Sequence, residues 1–362
     1  MKINRLAPLN IVGLQVLVIV IVVYFFTFSY NMPFDYEPVE GYLYPTNTHD
    51  NYVYVREANN ISRGIENIGF NNNFGIAFIY SSISEIFVYF GLDLKYDVLS
   101  LWVNCFLILA CFIIYKKIIK LLGLPYYYVF SFFLFSSLIY FAQLINKDIF
   151  TIFIILKGVE FAVKGRKKSF FVLALLSVFV RIQLPVFFVV LGFFSFFKTK
   201  KYTVWLFFIY TFFALVNGFF AKYQGMFISE ETLSDGLSYW VYYLNYNYYV
   251  GSFLLNPLRV IQYFYGYLLS FDFIVGDKLD VSRIKDLPQL LLFLYSVPYF
   301  VLAFLNYNRS MNDDRLRVLM SCILSFFLVW LLNPSVSPRY LINFLPIITL
   351  ISFYYGFYYA KK

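Results

Sequence analysis

Long apolar runs separated by short charged segments are the feature that most constrains how this chain can fold. Hydrophobic residues make up 61% of the 362 residues and charged residues only 14%. A soluble domain of similar size carries roughly a quarter charged residues. Several runs approach the roughly 20 residues that cross a bilayer as a helix. The sequence therefore predicts an all-α, polytopic integral membrane protein.

About ten segments are predicted as membrane-spanning helices. Their approximate boundaries are 11–28, 97–115, 125–142, 148–163, 169–180, 184–198, 203–220, 288–306, 317–333 and 341–360. No small-residue cleavage site follows the first segment, so it is predicted to be a retained helix and not a signal peptide. Three cysteines, Cys105, Cys111 and Cys322, lie inside apolar runs and are interpreted as packing residues, without a disulfide framework or a metal cluster.

The distribution of charge orients these segments, because basic residues collect on the cytoplasmic side. With the amino terminus inside, the inner segments hold 18 of the 29 Lys and Arg and three of the 20 Asp and Glu. The inner side then carries a net charge of +15 and the outer side −6, which together give the +9 of the chain. The orientation of the chain in the membrane thus accounts for its excess of basic residues, and no nucleic-acid partner is implied.

Two large loops, 29–96 and 221–287, fall on the outer side, and each contains an apolar segment. Residues 74–91 include Glu85, and counting them as a span would move the basic "YKKIIK" after the second span outside. Residues 256–273 carry Arg259 and Asp272 near their ends. Both are therefore predicted to be amphipathic helices at the outer interface, where aromatic residues are common.

Four polar stretches meet at the outer ends of the predicted spans. They contain His49 and Asp50 in the first loop, Lys147 and Asp148 in "NKD", Arg181 in "VRIQLP", and Arg339 with Tyr340 in "PRYLIN". Charges at membrane depth cost roughly several kcal/mol unless they are paired or hydrated, so they are candidates for function.

Each candidate has a structural alternative. Asp50 could cap a helix that begins near Asn51, and His49 could be its surface neighbour. Lys147 and Asp148 could form a solvated turn. The two arginines, Arg181 and Arg339, could extend to lipid headgroups as membrane anchors.

Taken together, the four stretches have a chemical interpretation. Lys147, Arg181 and Arg339 could hold a phosphate or pyrophosphate, since guanidinium groups match phosphate oxygens in pairs. Asp50 could accept the proton of an attacking sugar hydroxyl as a general base. The cations would then stabilise the charge of a departing lipid phosphate.

These stretches resemble known membrane glycosyltransferases. The first-loop Asp50 with Tyr54 and Ala58, followed by an interfacial helix ending in Gly91 and a span ending in "YKK", resembles the opening of GT-C-fold enzymes. The "NKD", "VRIQLP" and "RYLINFLP" segments are similar to those of O-antigen and capsular polysaccharide polymerases of the Wzy type.

The resemblance implies a GT-C-like transmembrane domain over residues 1–362 that inverts the anomeric carbon of a polyprenyl-linked sugar. It implies no cofactor and no metal. The expected function is polymerisation of undecaprenyl-(pyro)phosphate-linked oligosaccharides at the periplasmic face of a bacterial inner membrane, with both termini cytoplasmic. Asp50 is the expected base, and Lys147, Arg181 and Arg339 are the expected phosphate ligands. The remaining candidates are His49, Tyr54, Glu85, Asp148, Arg259 and Tyr340.

Two other functions stay open. One is a GT-C transferase that adds a single sugar from a polyprenyl-phosphate donor, and the other is a polysaccharide transporter or flippase. Transporters keep charges near the bilayer midplane on broken helices, whereas here they gather at the outer ends of spans. Membrane lipids and a chain-length regulator protein are the further partners that a polymerase implies.

The orientation can be tested by cysteine labelling in intact cells. In a variant without native cysteines, a cysteine at position 117 or 166 should be shielded from a membrane-impermeant thiol reagent, whereas a cysteine at position 235 should react. All three should react after permeabilisation. Labelling of position 117 from outside would overturn the orientation and, with it, the shared outer face.

Overall fold

The computed structural model describes most of the chain as helices. The described residues are 48–64, 73–94, 96–140, 142, 145–197, 199, 201–224, 236–271, 274–275, 278–279, 286–333, 336–337 and 339–359. The predicted span 11–28 lies outside them. The chain divides into two compact units, residues 1–161 with 171–184 and residues 162–170 with 185–362.

Helices follow one another along the described parts of the chain. The first are α1 (Thr48–Ser62), α2 (Phe74–Tyr89), α3 (Tyr96–Leu122), a 3₁₀ helix (Tyr126–Leu134), α4 (Ser136–Tyr140), α5 (Lys147–Val163), α6 (Lys167–Leu176), a short 3₁₀ helix (Ser177–Phe179) and α7 (Gln183–Phe196). The others are α8 (Tyr202–Gln224), α9 (Gly236–Tyr248), α10 (Gly251–Leu269), α11 (Leu287–Leu305), α12 (Tyr307–Asn312), α13 (Asp314–Trp330), α14 (Arg339–Ile342) and α15 (Leu345–Tyr358). Two-residue strands β1 (Ile274–Val275) and β2 (Lys278–Leu279) pair antiparallel between α10 and α11.

Within the described residues, three helices are long and apolar enough to cross a membrane. Their apolar parts are Val98–Leu122, Tyr202–Ala221 and Leu287–Leu305. Each overlaps a predicted span. The predicted spans 184–198 and 341–360 contain the shorter apolar helices α7 and α15, of 14 residues each. A helix of that length measures about 21 Å, less than the ~30 Å hydrocarbon core, so the total of about ten spans stays a prediction.

The expected helix over residues 125–142 is wrong as a continuous α-helix. The segment forms a nine-residue 3₁₀ helix and then the short α4. Its run of aromatic residues, "YYYVFSFFLF", lowers helix propensity because rings lose rotamer freedom against the preceding turn. Ser131 Oγ also donates to the main-chain oxygen of Tyr128 at 2.7 Å and lies 2.8 Å from the Tyr115 hydroxyl of α3. The predicted span 169–180 is likewise divided, into α6 and the 3₁₀ turn after it.

Helix α13 is the centre of the second unit. Every residue from Leu316 to Trp330 is buried, including Arg317, so this stretch of the helix is surrounded by the rest of the unit. Its start is capped by Asp313, whose Oδ1 accepts from the N–H groups of Arg315 and Leu316. At its other end, the rings of Phe326 and Phe344 stack with centroids 4.1 Å apart.

Helix α10 buries its polar face and exposes its apolar face. The buried positions include Ser252, Asn256 and Arg259, with Tyr263 and Tyr267 further along. The exposed positions are apolar or aromatic: Leu254, Leu258, Ile261, Tyr265 and Leu269. A soluble amphipathic helix shows the opposite arrangement. An outward apolar face suits contact with lipid, because hydrocarbon cannot satisfy polar groups and the protein interior must.

In the first unit, α2 begins with a close backbone approach at Gly75. A Cβ built on Gly75 would lie 1.8 Å from the main-chain oxygen of Phe179. The neighbouring Tyr80 is fully buried, and its hydroxyl donates to Asn104 Oδ1 of α3 at 3.1 Å. The absence of a side chain at residue 75 thus lets α2 pack directly against the turn that precedes Arg181.

Replacing this glycine should destabilise the first unit. We expect Gly75→Ala to cost about 1–3 kcal/mol or more, because backbone atoms must shift to admit the methyl group. Gly356→Ala is the matched control, since a Cβ there meets only the Tyr299 ring at an ordinary 3.5 Å. Thermal unfolding in detergent micelles measures both. Equal melting temperatures for the two variants would contradict the close approach.

Candidate functional site

Helix α1, from the first large loop, is bound to the turn that precedes α5. The side-chain oxygen Oδ1 of Asn51 accepts a hydrogen bond from the Ile145 N–H at 2.9 Å. One turn further along α1, Tyr54 is 2% exposed, and its ring centroid lies 5.9 Å from Lys147 Nζ. These contacts hold the start of α1 against the "NKD" turn.

Lys147 is half-buried between the side chain of Asn73 and the aromatic ring of Tyr54. Its Nζ donates to Asn73 Oδ1 at 3.1 Å, just before α2. The Tyr54 ring below it is within the roughly 6 Å at which a cation is attracted by an aromatic face. The ammonium group is therefore held by two segments of the first loop, α1 and the residue before α2.

The "NKD" turn is a helix start. Asn146 Oδ1 accepts from the N–H of Asp148, which is the contact of an N-cap residue. Asp148 then lies in the first turn of α5, where the helix dipole favours a negative charge. The side chains of Asn146 and Asp148 are fully buried, so the alternative of a solvated turn is wrong for Asp148.

Asp148 forms a buried ion pair with Arg181. The carboxylate is fully buried and Arg181 is 3% exposed, and Nη2 of the guanidinium donates to Oδ1 of Asp148. Arg181 Nε also donates to Thr151 Oγ1 at 2.9 Å, and that hydroxyl donates to the Lys147 carbonyl at 2.7 Å. The pair thus connects Arg181, two residues after the 3₁₀ turn, to the first turn of α5.

This geometry corrects the membrane-anchor alternative for Arg181. A side chain that extends to headgroups would be exposed, whereas this one is buried and neutralised by a carboxylate. The prediction that Arg181 binds a lipid phosphate stays a prediction. Its contacts with Asp148 and Thr151 fix the backbone around Lys147.

Asp50 and His49 lie inside α1. Residues 48–50 are already helical, so the alternative in which Asp50 caps a helix beginning near Asn51 is wrong. The side chains of both residues lie outside the described part of the chain. Since helix positions four residues apart share a face, position 50 lies on the same face of α1 as Tyr54. Glu85, a further candidate base, is exposed in the last turns of α2.

The other predicted cations belong to the second unit. Arg259 is fully buried, and its Nη1 donates to Asn256 Oδ1 at 2.9 Å and to the Leu331 carbonyl at 3.0 Å. Its Nη2 donates to the carbonyl of Asn333. A cation is stabilised at the carboxyl end of a helix, here α13, by the helix dipole. Arg259 is thus at the centre of a joint between two helices and not at the end of an interfacial segment.

Burial also changes the titration of these groups. It lowers the pKa of Arg259 to about 10, which still leaves the guanidinium charged at neutral pH. Burial raises the pKa of the Tyr263 hydroxyl, and the nearby Arg259 opposes that shift. Tyr263 therefore stays neutral beside the cation.

Arg339 and Tyr340 begin the short helix α14, which packs against α10. Both are half-buried. They lie in the same unit as Arg259, whereas Lys147 and Arg181 lie in the first unit. The proposed role of Arg339 in phosphate binding stays a prediction.

Several site residues were missed in the sequence. Asn51, Asn73 and Thr151 are uncharged, and only the structure shows them holding Ile145, Lys147 and Arg181. Glu57 was also missed, although it follows Tyr54 by three residues and so lies on the same face of α1. One of its carboxylate oxygens is buried. The spacing of Asp50, Tyr54 and Glu57 is the signal that could have identified it.

The arrangement in the first unit has the components for chemistry on a phosphate-linked group. A half-buried ammonium lies beside a helix that carries carboxylates, and a neutralised ion pair fixes the turn below it. Among the described residues, no group of three or more His, Cys, Asp or Glu lies close enough together to hold a metal ion. The expectation that no metal is used stays a prediction.

The fold and this cluster define the chain as a helical protein with apolar helices of membrane-spanning length. Comparisons with protein-family models, curated proteins and solved structures find no match. The function must therefore be argued from the cluster itself.

The buried Asp148–Arg181 pair leads to a prediction about the stability of the protein. Asp148→Ala and Arg181→Ala should each lower the free energy of unfolding by about 3–5 kcal/mol, since each leaves a buried charge without its partner. The double variant should cost clearly less than the sum. Reversible unfolding in mixed micelles measures the free energy of unfolding of the wild type, the two single variants and the double variant. As a control, Glu85→Ala, at an exposed position, should change that free energy by less than about 0.5 kcal/mol. Additive single effects would show that the two groups do not interact.

Proposed function

We propose that this protein is a membrane glycosyltransferase that polymerises polyprenyl-(pyro)phosphate-linked oligosaccharides. The reacting groups lie at the outer face of a bacterial inner membrane, in the threading of about ten spans that the charge distribution favours. The same chemistry serves a transferase that adds one sugar, and the length of the product distinguishes the two. A transporter is less well supported, because the polar cluster of the first unit is built on helix starts and a loop.

One observation carries the proposal. Two contacts, Asn51 to Ile145 and Tyr54 to Lys147, hold α1 against the turn before α5. Position 50 is adjacent to the first contact residue and one helical turn before the second. An acceptor hydroxyl that approaches the carboxylate of Asp50 would therefore also approach a fixed cation.

The roles follow from the charges. Asp50 accepts the proton of the acceptor hydroxyl as its oxygen bonds to the anomeric carbon from the face opposite the leaving group. The bond between that carbon and the phosphate oxygen breaks, and the phosphate leaves with the electron pair. Lys147 stabilises the negative charge of the departing phosphate. Arg181 acts as a positioning residue, because its ion pair with Asp148 fixes the turn that carries Lys147.

The base assignment is tested with Asp50→Asn. Asn keeps the shape and the hydrogen-bonding capacity of the side chain but cannot accept the proton. Chain extension should fall by roughly 10²–10⁴-fold, the contribution of a positioned general base. The assay follows product length on a polyprenyl-pyrophosphate-linked acceptor in membranes that contain equal amounts of protein.

A matched control is Asp93→Asn, an exposed aspartate in the segment after α2 that should retain activity. Glu57→Gln tests the second carboxylate on the same face of α1. If Asp50→Asn extends chains at the wild-type rate and Glu57→Gln does not extend them, Glu57 and not Asp50 is the base. Wild-type extension by both variants would contradict a carboxylate base on α1.

A further inference from the structure

A pocket in the second unit lies where two helices of membrane-spanning length end. Its volume is about 540 Å³. Thr203 lines it at the start of α8, and Leu305 lines it at the end of α11. The apolar parts of these helices are Tyr202–Ala221 and Leu287–Leu305. The pocket is therefore at the depth where the hydrocarbon core of a membrane meets the lipid headgroups.

The lining of the pocket combines apolar and polar residues. The apolar members belong to the two long helices and are Leu206, Phe304 and Leu305. The polar members that directly follow α11 include Asn306, Asn308 and Arg309. A pocket of this composition suits a ligand that has both a charged group and an apolar part.

Stacking holds the guanidinium group of Arg309 in place. Its central carbon lies 4.5 Å from the centroid of the Tyr359 ring, just after α15. The hydroxyl of Tyr359 donates to Asp313 Oδ2 at 2.8 Å, which fixes the ring. A stacked guanidinium uses its face for the aromatic contact and keeps the N–H groups of its edge for oxygen ligands.

The charge of Arg309 is not neutralised by an acidic residue. Among the described residues, no carboxylate is within ion-pair distance of its guanidinium. Asp313 already accepts hydrogen bonds from two N–H groups of α13 and from two tyrosine hydroxyls near the end of α15. Asp314 forms an ion pair with Arg317, with Oδ1 and Nη2 2.7 Å apart. The positive charge of Arg309 is therefore available to an external anion.

Two further hydrogen-bond donors line the pocket with this charge. The amide of Asn308 is on an exposed residue next to Arg309. Thr203 contributes a hydroxyl in the first turn of α8, where the helix dipole also favours an anion. Asn306, in contrast, already donates to the Leu302 carbonyl at 3.0 Å. One guanidinium, one amide and one hydroxyl together suit a phosphate.

The surroundings of the pocket favour a lipid as the source of this phosphate. Leu305, in the lining, is 75% exposed at the end of an apolar helix. Val301 and Leu302, on the preceding turn of α11, are also exposed. An acyl chain attached to a bound phosphate can continue along this surface. The predicted orientation places this end of α8 and α11 on the basic inner side, where pockets between helices bind anionic headgroups.

We infer that the pocket binds the phosphate of an anionic phospholipid, phosphatidylglycerol, from the leaflet on the predicted inner side, with Arg309 as its charged ligand. This lipid is not the substrate of the proposed reaction, whose phosphate meets Lys147 of the first unit. The inference therefore stands or falls separately from the proposed function. It requires only that α8 and α11 are inserted in a membrane.

Native mass spectrometry of the full chain tests the site. The delipidated protein in detergent micelles is titrated with phosphatidylglycerol and, separately, with phosphatidylcholine, whose headgroup has no net charge. The wild type should bind phosphatidylglycerol more tightly. Arg309→Ala should weaken that binding by about tenfold or more, because the loss of a hydrogen bond to a charged group corresponds to at least that factor.

The matched control is Arg166→Ala. Arg166 is also exposed and is also predicted on the inner side, but it does not line the pocket. This variant should bind phosphatidylglycerol as the wild type does. Equal binding of the two lipids by the wild type, or equal binding of phosphatidylglycerol by Arg166→Ala and Arg309→Ala, would overturn the inference.

Two substitutions of Asn308 separate the effect of charge from an effect on folding. Asn308→Ala removes the amide without a change of charge and should weaken binding only a few-fold. Asn308→Asp places a carboxylate beside Arg309 and should abolish the preference for phosphatidylglycerol. Because residue 308 is exposed, both variants should keep the wild-type melting temperature. A preference that survives Asn308→Asp would contradict recognition of the phosphate by charge.

Inorganic phosphate distinguishes a lipid site from a site for a soluble anion. It offers the same oxygens to Arg309 but gains nothing from the apolar lining. At the same phosphate concentration, it should therefore leave bound phosphatidylglycerol in place. Displacement of the lipid would assign the pocket to a soluble anion and reject a phospholipid as its ligand.

Discussion

In both units, a buried arginine joins the end of one helix to a neighbouring segment. Arg181 reaches the first turn of α5 through Asp148 and Thr151, and Arg259 reaches the last carbonyls of α13. A chain with so few charged residues buries such groups where carboxylate and carbonyl oxygens can accept from them, because an unsatisfied polar group in an apolar medium costs several kcal/mol. The helix ends, where carbonyl and N–H groups lack helical partners, are the places that supply these partners.

The same constraint explains the inverted surface of α10. Its polar residues are needed inside, at the joint with α13, so its apolar residues are left outside. The exposed aromatic residues of α8 have the same consequence. These surfaces would aggregate in water, since exposed apolar patches of this extent mark interaction or membrane surfaces. The polar interior and the apolar exterior thus agree with the membrane environment that composition predicted.

The sequence could predict the helical class and which polar stretches matter, because apolar runs and rare charges are visible without a structure. It also correctly located apolar helices of membrane-spanning length around residues 98–122, 202–221 and 287–305. It could not predict that Asp148 and Arg181 neutralise each other, because the two are 33 residues apart and their contact depends on how the segment after the 3₁₀ turn packs against the start of α5. The division of residues 125–142 was missed for a related reason: hydropathy records apolar character and not the crowding of consecutive rings.

The buried pair in the first unit also bears on function. Replacing a buried ion pair by apolar residues of similar volume is often neutral or stabilising, so the pair is weak evidence for a role in stability. In a chain that is only 14% charged, an apolar solution was available for this position. Apolar residues could not fix the orientation of the two segments through directional hydrogen bonds. The guanidinium does so, because it binds the Asp148 carboxylate and, through Thr151, the carbonyl of Lys147 at the same time. On the proposed function, the pair is retained because it fixes the orientation of the turn from which Lys147 meets the phosphate.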